Sequence, residues 1–369
     1  MGTTPYIIAG GGISGLATAL ALAPADTLLL ERAAAFEEVG AGLQLGPNAV
    51  RALQKLGAWD AVEPFASSPP EIHIRDGLTG KLLKRLQLKE SFEKRYGAPY
   101  RVIHRADLHA ALLSVARNLP NLTIRTGAEV TNWGDAASGV DVILTPKNHI
   151  RGAFLFGCDG VNSSLRQKAV PGSAAVDSGL TLHRTLIDLP RAESSIAWEC
   201  VNLWLCPEAH AVHYPVGAKQ RLNIVATARN GIALSSAFAR TAPALQKLLE
   251  APRTWLPWPG LYTPPLNHWQ YGSMLLLGDA AHGTLPFLAQ GAAMALEDAA
   301  FLKHHKPPTT SDSDWRARRQ RTARLHAETL RTVKHYHAAG LHALLRNAVI
   351  STLSSQQFAS RLDWIYKAQ

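Results

Sequence analysis

Three glycines near the N-terminus, Gly10, Gly12 and Gly15, have the spacing of a loop that binds a diphosphate. The apolar residues 7–9 before them predict a short buried strand, and apolar side chains recur at helical spacing over residues 13–20. A strand, a glycine turn and a helix let the backbone approach a pyrophosphate, which unpaired N–H groups at the helix start can bind. The pattern therefore predicts a dinucleotide site.

Three acidic residues at the ends of apolar runs could bind other parts of the same ligand. Glu31 ends a second apolar strand, about 20 residues beyond the first glycine, where the ribose-binding acid is expected. Asp159 and Asp279 also follow short apolar runs. Asp279 could alternatively cap a helix, and Asp159 could belong to a plain turn.

Two side chains with acid–base chemistry lie along one predicted strand. Because residues two apart share a face, His210, Val212 and Tyr214 point together, whereas Ala211 and His213 point to the other face. An imidazole has an ordinary pKa of about 6.5, so His210 could accept a proton from a ligand at neutral pH. A structural role for a lone histidine on a strand is the alternative.

Composition places the chain among globular proteins. With 369 residues, 47% of them hydrophobic, it can form a large core in two closely packed domains. No run approaches the ~18–20 apolar residues of a membrane helix, and the first strand begins too early to follow a signal peptide. We therefore expect a cytoplasmic protein. The cysteines have no metal-ligand spacing: Cys158, Cys200 and Cys206. The histidines near the C-terminus lack accompanying ligands at metal spacing, and we expect them at the surface: His304, His305, His335 and His337.

The chain is basic, with 38 Lys and Arg against 28 Asp and Glu and a net charge of +10. Part of the excess lies in one predicted helix that carries Arg316, Arg318, Arg319, Arg321 and Arg324. We expect these arginines to form a solvated basic face. No nucleic-acid-binding module accompanies them, so nucleic acid is not an expected partner. Weak contact with an anionic membrane stays open.

The chain alternates between two kinds of sequence. An α/β pattern marks a discontinuous dinucleotide domain, residues 1–75, 100–170 and 270–305. Its helices and strands are expected near residues 48–56, 106–116, 122–126, 140–144, 154–157 and 273–277. A mostly antiparallel β-sheet substrate domain is expected from residues 171–269, with strands at 201–205, 211–216 and 222–228. Polar, irregular residues 76–99 are assigned to it, and residues 306–369 to C-terminal helices.

Several motifs match one family together. They are the glycine loop, residues 159–160, residues 278–282, Pro286 and the helix start at 290–299. In these the chain resembles the single-component FAD-dependent aromatic hydroxylases. Segments 40–49 and 210–215 resemble more closely a subgroup that includes salicylate hydroxylase, 3-hydroxybenzoate 6-hydroxylase and 6-hydroxynicotinate 3-monooxygenase. The resemblance extends from residue 5 to 366 and implies a Rossmann-like FAD-binding fold of the para-hydroxybenzoate hydroxylase type.

The resemblance also implies site residues and a reaction. FAD would be held by Gly10, Gly12, Ser14, Gly15, Glu31, Arg32, Gly42, Arg105, Asp159, Gly278, Asp279, Gln290, Gly291 and Ala292. His210 would be the base, Tyr214 would orient the substrate, and the pocket would include Gln44, Val212 and Pro286. NADH or NADPH would act as a transient co-substrate. Oxygen transfer from a flavin C4a-hydroperoxide would then hydroxylate a phenolic or N-heteroaromatic acid, which reacts most easily as the phenolate.

The sequence leaves alternatives. Arg105 could be a surface cation, and Gln44 a loop-stabilising amide. A flavin-dependent halogenase is a weaker candidate, because residues 255–260 do not match the tryptophan-rich segment of that group. A catalytically silent or membrane-associated flavoprotein is the other alternative. The aromatic substrate, the ring position, the choice of NADH or NADPH, and a monomer or a homodimer all stay open.

Overall fold

The computed structural model describes residues 4–36, 40–145, 148–188, 196–217, 221–307 and 309–367. The strands are β1 (Tyr6–Ala9), β2 (Thr27–Leu30), β3 (Gly42–Leu45), β4 (Glu71–Asp76), β5 (Leu82–Gln87), β6 (Arg101–His104), β7 (Leu122–Arg125), β8 (Glu129–Ala136), β9 (Gly139–Thr145), β10 (Asn148–Gly152), β11 (Leu155–Gly157), β12 (Val176–Asp188), β13 (Val201–Cys206), β14 (Ala209–Val216), β15 (Arg221–Arg229), β16 (Leu256–Tyr262), β17 (Gln270–Tyr271) and β18 (Met274–Leu276). The helices are α1 (Ile13–Leu22), α2 (Pro47–Leu56), α3 (Trp59–Val62), α4 (Glu90–Tyr96), α5 (Arg105–Arg117), α6 (Ser164–Ala169), α7 (Leu234–Ala237), α8 (Pro243–Glu250), α9 (Asp279–His282), α10 (Gly291–Leu302), α11 (Arg316–Tyr336), α12 (Gly340–Thr352), α13 (Ser355–Ser360) and α14 (Asp363–Tyr366).

The first sheet has the strand order β17-β18-β11-β1-β2-β7. Its strands are parallel except for the short antiparallel edge strand β17. Strands of a parallel sheet are covered on both faces, so their residues are continuously apolar. Ile7, Ile8 and Leu155 are accordingly fully buried. Helices α1 and α10 pack against each other beside this sheet. The mixed α/β fold with a Rossmann-like domain is thereby confirmed.

The second sheet has the order β16-β12-β15-β14-β13-β4-β5. Its pairs are antiparallel apart from β13 with β4. The three strands predicted at 201–205, 211–216 and 222–228 are its adjacent strands β13, β14 and β15. Along β14 the two faces separate as predicted, with Val212 and Tyr214 in one apolar cluster and Ala211 in another.

The prediction that residues 76–99 are irregular is wrong. They contain β5 and α4, and β5 pairs with β4 at the edge of the second sheet. In β5, Leu83 and Leu86 are buried, whereas between them Arg85 is exposed and Lys84 is half-buried, and these charges conceal the strand in the sequence. The boundaries of the two proposed domains stay a prediction. Strand β4 lies in the second sheet, although the sequence assigns residues 1–75 to the dinucleotide domain.

A two-stranded sheet joins the two larger ones. Strand β3 pairs antiparallel with β6, and α2 and α5 directly follow these two strands. Strands β8, β9 and β10 form a further small sheet. The two-stranded sheet contacts β14 of the second sheet through β6 and contacts α10 through β3.

The C-terminal residues form helices, as predicted, but the expected solvated basic face of α11 is wrong in part. Arg318 and Arg321 are buried, each 8% exposed, and both form ion pairs with acidic residues of α10. Arg324 lies over the ring of Trp364, 4.1 Å from its centroid. Within the described part of the chain, none of the helices combines the length and the hydropathy that crossing a membrane requires.

Candidate active site

Four of the predicted ligand residues lie along one edge of the first sheet. Strands β18, β11, β1 and β2 are neighbours in that order and run parallel. Their carboxyl ends therefore meet at one edge, which is where ligands bind in open parallel sheets. This order places Asp279, Asp159, Gly10 and Glu31 after successive strands. Residues separated by more than 260 positions in the sequence are thus brought to one site.

The glycine loop has the geometry that its glycines allow. Gly10 has a left-handed φ of 105°, and a Cβ there would clash with the carbonyl of Cys158. A Cβ on Gly15 would clash with the carbonyl oxygen of Gly10, so the helix could not pack this closely on the strand. Among the described residues other than its chain neighbours, no atom lies within 4 Å of a Cβ built on Gly12, which is the residue that precedes α1. The space beside Gly12, at the start of a helix, suits a phosphate.

Glu31 is held beside this loop. Its carboxylate accepts hydrogen bonds from the backbone N–H of Gly11 at 2.7 Å and of Ala33 at 2.9 Å. Arg32 is exposed next to it. The two bonds fix the carboxylate at the end of β2, where its remaining acceptor capacity faces the same edge as the loop.

Asp279 does not cap a helix. It is the first residue of α9, the capping position is Gly278, and the cap makes no side-chain hydrogen bond. Its side chain is exposed, and no hydrogen bond to it occurs among the described residues. Gly278 has a left-handed φ of 59° and lies against Ser14 of α1, which joins the second motif to the glycine loop. The carboxylate of Asp279 is therefore available to a ligand.

Asp159 is more enclosed. Its Oδ2 accepts a hydrogen bond from the backbone N–H of Leu165 at 3.2 Å. Burial raises the pKa of the Asp159 carboxyl, and hydrogen bonds from Ser163 and from the backbone partly oppose that effect. The residue thus orders the turn before α6 at the ligand edge.

A buried ion-pair network supports the motifs at residues 278–282 and 290–299. Asp298, fully buried in α10, accepts hydrogen bonds from the Gly278 N–H at 3.1 Å and from Arg318 Nη2 at 2.7 Å. Its Oδ2 lies 2.6 Å from His282 Nε2. Burial by itself would raise the pKa of Asp298, but His282 and Arg318 hold it below its ordinary value. The network fixes α9, and with it Asp279, to α10.

Glu297 connects α10 to the loop before it. It pairs with Arg318 at 2.6 Å and Arg321 at 2.9 Å, and it accepts a hydrogen bond from Asn48 Nδ2 at 2.8 Å. Asn48 also donates to Gln290 Oε1 at 2.9 Å. Although burial opposes ionisation, the two guanidinium groups lower the pKa of Glu297 to about 2.

The start of α10 is prepared for an anion. Ala289 has a left-handed φ of 54°, which turns the chain into the helix at Gln290 and Gly291. Gln290 is 1% exposed and held by Asn48, so the backbone N–H groups of Gly291 and Ala292 have a fixed direction. The first N–H groups of a helix have no partner within it and attract negative charge.

The loop at β3 contacts the second sheet. The Gly42 N–H donates to Asn223 Oδ1 at 2.7 Å, and a Cβ on Gly42 would clash with Tyr214. Gln44 accepts a hydrogen bond from the Tyr100 hydroxyl. Tyr214 is 3% exposed, and burial raises its pKa. Gln44 and Tyr214 are within side-chain hydrogen-bonding range of each other, and their role as pocket residues stays a prediction.

The remaining predicted residues surround these groups. Arg105 begins α5 directly after β6 and is half-buried, and its N–H donates to the Ala41 carbonyl at 3.1 Å. Val212 is half-buried between His210 and Tyr214 on one face of β14. Pro286 is exposed and begins the 3₁₀ turn Pro286–Leu288, which leads to α10.

His210 has a neighbour that the sequence did not suggest. Its Nδ1 lies 2.8 Å from Nε2 of His337, the capping residue that directly follows α11. His210 is 2% exposed, and its ring contacts those of Phe287 and Tyr336. Burial and the proximity of His337 hold the pKa of His210 well below its ordinary value. The expectation that His337 is a surface residue is wrong, because its ring is half-buried against His210.

Sequence reasoning missed the residues that support the site. A signal was present for two of them, since the adjacent acids Glu297 and Asp298 interrupt an otherwise apolar helix.

Away from the site, Glu71, His73 and Cys200 bring three potential metal-ligand atoms within 4.8 Å of one another. His73 Nε2 and Glu71 Oε2 are already hydrogen-bonded there at 2.6 Å.

Known proteins resemble this chain over nearly its full length. Residues 3–219 match the family described as FAD binding domain. The chain is 33% identical to a 3-hydroxybenzoate 6-hydroxylase of Polaromonas naphthalenivorans (strain CJ2), over 98% of this chain and 95% of that protein. It is 30% identical to a 6-hydroxynicotinate 3-monooxygenase of Bordetella bronchiseptica, over 80% of each.

Solved structures share the fold. HpxO of Klebsiella pneumoniae, solved with FAD and uric acid, superimposes with a TM-score of 0.84 at 22% identity, over 97% of this chain and 95% of that chain. A salicylate hydroxylase substrate complex superimposes with a TM-score of 0.81 at 22% identity, over 100% and 96%. These similarities extend across both large sheets, so the whole architecture is shared.

Proposed function

The chain belongs to the FAD-dependent aromatic hydroxylase family, and from this premise we propose that it hydroxylates a small phenolic or N-heteroaromatic acid, ortho or para to a ring hydroxyl. It is an FAD-dependent monooxygenase that uses NAD(P)H and O₂. Relatives named as hydroxylases and monooxygenases do not favour the halogenase or the silent flavoprotein. The observation that carries the proposal is that the predicted FAD residues lie close to the face of β14 that carries His210 and Tyr214.

The residues at the sheet edge fit FAD. Gly10 and Gly15 let the loop and helix pack closely where a Cβ would clash with backbone, Gly12 opens toward the helix start, and Asp279 presents an exposed carboxylate. We assign the diphosphate to the glycine loop with Ser14, the adenosine ribose to Glu31 with Arg32, and the ribityl hydroxyls to Asp279 beside Gly278. Arg105, Asp159 and Gly42 complete this assignment.

When bound, FAD supplies the transfer of electrons from NAD(P)H and the activation of O₂. The backbone N–H groups of Gly291 and Ala292 would stabilise negative charge on a bound flavin, by roughly 0.3–2 kcal/mol for a helix start. Gln290, fixed by Asn48, keeps these groups in position. Gln44, Val212 and Pro286 enclose the aromatic acid and exclude water.

His210 accepts the phenol proton of the substrate at Nε2. Its Nδ1 is engaged with His337, and no hydrogen bond to Nε2 occurs among the described residues. Ionisation puts charge into the ring at the ortho and para carbons, which makes them nucleophilic. Tyr214, four residues farther along the strand and on the same face, donates a hydrogen bond that orients the oxygen. Burial lowers the pKa of His210, which keeps its ring unprotonated until the proton of the ligand reaches it.

We further propose that the protein is a cytoplasmic monomer or homodimer. All three cysteines are buried and unpaired, which agrees with a reducing compartment. A vesicle-binding measurement tests for weak membrane contact of the basic surface.

A substrate screen tests the proposed reaction. The FAD-loaded protein is given NADH or NADPH with hydroxybenzoates, aminohydroxybenzoates and hydroxypyridine carboxylates, and NAD(P)H consumption and products are measured. At least one acid should stimulate consumption and yield a hydroxylated product. Benzoate, which has no hydroxyl group to ionise, is the matched control and should not be hydroxylated. If every acid gives only peroxide, the proposed function is wrong.

A further inference from the structure

Two imidazoles, those of His210 and His337, are in direct contact beside β14. Nδ1 of His210 and Nε2 of His337 are 2.8 Å apart, the distance of a hydrogen bond that carries one proton. A bond through Nδ1 leaves Nε2 of His210 as the nitrogen that can meet a ligand. The contact therefore couples protonation of His210 at Nε2 to the ring of His337.

The two rings occupy different environments. His210 lies on β14 and is 2% exposed, so it has no direct route to solvent. His337 lies at the C-terminal end of α11 with a half-buried ring that reaches the surface. Its backbone is fixed on both sides, since its N–H donates to Val333 and its carbonyl accepts from the Glu208 N–H, each at 3.0 Å. His337 thus stands between a buried base and water.

Neither ring is suited to keep a proton. Burial, and secondarily His337, lowers the pKa of His210. Burial together with Arg229 and Arg346 lowers the pKa of His337 to about 4. The other ionisable groups nearby are Tyr336, whose ring contacts His210, and Glu208, which pairs with Arg229 at 3.0 Å. A proton taken from a ligand must therefore pass onward.

We propose that His337 is the second member of a two-imidazole relay that carries the phenol proton of the bound aromatic acid from His210 to solvent, an inference that rests on the proposed function. The O–H bond of the ligand breaks and its proton bonds to Nε2 of His210. The proton on Nδ1 of His210 moves to Nε2 of His337, and the proton on Nδ1 of His337 passes to water. One proton leaves for each phenolate formed, and reverse transfer to the product restores both rings.

Proton release on ligand binding tests the relay without turnover. The FAD-loaded full chain is mixed with 3-hydroxybenzoate in weakly buffered solution, and a pH indicator follows the proton by stopped flow. His337→Ala should slow release by roughly 10²-fold, the scale of acid–base assistance, and added imidazole should restore it. His337→Gln, which keeps a hydrogen-bonding group beside His210, should bind the ligand normally but still release the proton slowly.

His335→Ala is the matched control. His335 is exposed, lies two residues earlier on the same helix and should release the proton at the wild-type rate. Release at the wild-type rate from His337→Ala, or restoration by His337→Gln, would overturn the relay. Absence of release from the wild-type protein would overturn it as well. The substrate screen is scored separately. If the wild type hydroxylates an acid but His337→Ala releases the proton at the wild-type rate, the relay alone is refuted. Failure of the whole screen refutes the proposed function.

Discussion

Replacing Arg318 by leucine removes the cation that joins both acids of α10. Its guanidinium donates to Asp298 Oδ1 through Nε at 3.1 Å and Nη2 at 2.7 Å, and to Glu297 Oε2 at 2.6 Å. In Arg318→Leu, Glu297 keeps Arg321, but Asp298 keeps only His282 and the Gly278 N–H. A fully buried carboxylate thus loses its guanidinium partner.

Breaking a buried pair by removing one partner costs about 3–5 kcal/mol. Because His282 still faces Asp298, we expect a loss near the lower limit, about 3 kcal/mol of unfolding free energy. With an unfolding entropy of about 2.1 cal/mol/K per residue, a chain of 369 residues then loses about 4 °C in melting temperature. FAD retention should fall too, because Asp298 binds the backbone of Gly278 next to Asp279.

Denaturant unfolding and calorimetry measure the loss, and dialysis measures retained FAD. Arg331→Leu is the matched control, since Arg331 lies on the same helix in an ion pair with Glu328 but is 68% exposed. Exposed pairs contribute about 0–1 kcal/mol, so this variant should resemble the wild type. Equal stability of the two variants would refute the argument that the buried ion pairs between α11 and α10 stabilise the fold.

Three other changes probe the site. Asp279→Ala should lose FAD on dialysis because a ribityl partner disappears, whereas Asp60→Ala, at an exposed carboxylate elsewhere, should not; full flavin content in Asp279→Ala removes the role given to it. His210→Ala should reduce hydroxylation by ~10²–10⁴-fold with unchanged flavin content. That deficit should shrink at high pH, where the phenol ionises unaided, and an unchanged pH–rate profile would exclude His210 as the base. Because the folded pKa of Glu297 is lowered from 4.5 to about 2, its contribution to stability is present above about pH 4.5 and is lost as the pH falls toward 2. Acid unfolding curves should show this loss in the wild type, and an identical slope in Glu297→Gln would contradict it.

The sheet edge could be predicted from sequence because its signals are local. The glycine loop and Glu31 lie within one βαβ unit, whose geometry fixes their separation. Asp279 and Asp159 follow apolar runs that are recognisable as buried strands. The strand order that unites these residues is not contained in any one motif, and only the resemblance supplied it.

The buried network and the histidine contact could not be predicted in the same way. An arginine-rich helix looks solvated until its acidic partners are located, and Glu297 and Asp298 precede Arg318 by about 20 residues on another helix. His210 and His337 are separated by 127 positions and meet only through tertiary packing. Long-range polar contacts of this kind depend on where helices dock, and hydrophobic periodicity does not encode that.

Isotopic labelling of oxygen tests the central claim most directly. The FAD-loaded protein is incubated with NAD(P)H, the most stimulating aromatic acid of the screen and isotopically labelled O₂, and the product is analysed by mass spectrometry. We expect one labelled oxygen atom in a new ring hydroxyl group, with the amount of product following NAD(P)H consumption. A product that carries no label, or NAD(P)H consumption that yields only labelled peroxide, would contradict the assignment of this chain as an aromatic hydroxylase.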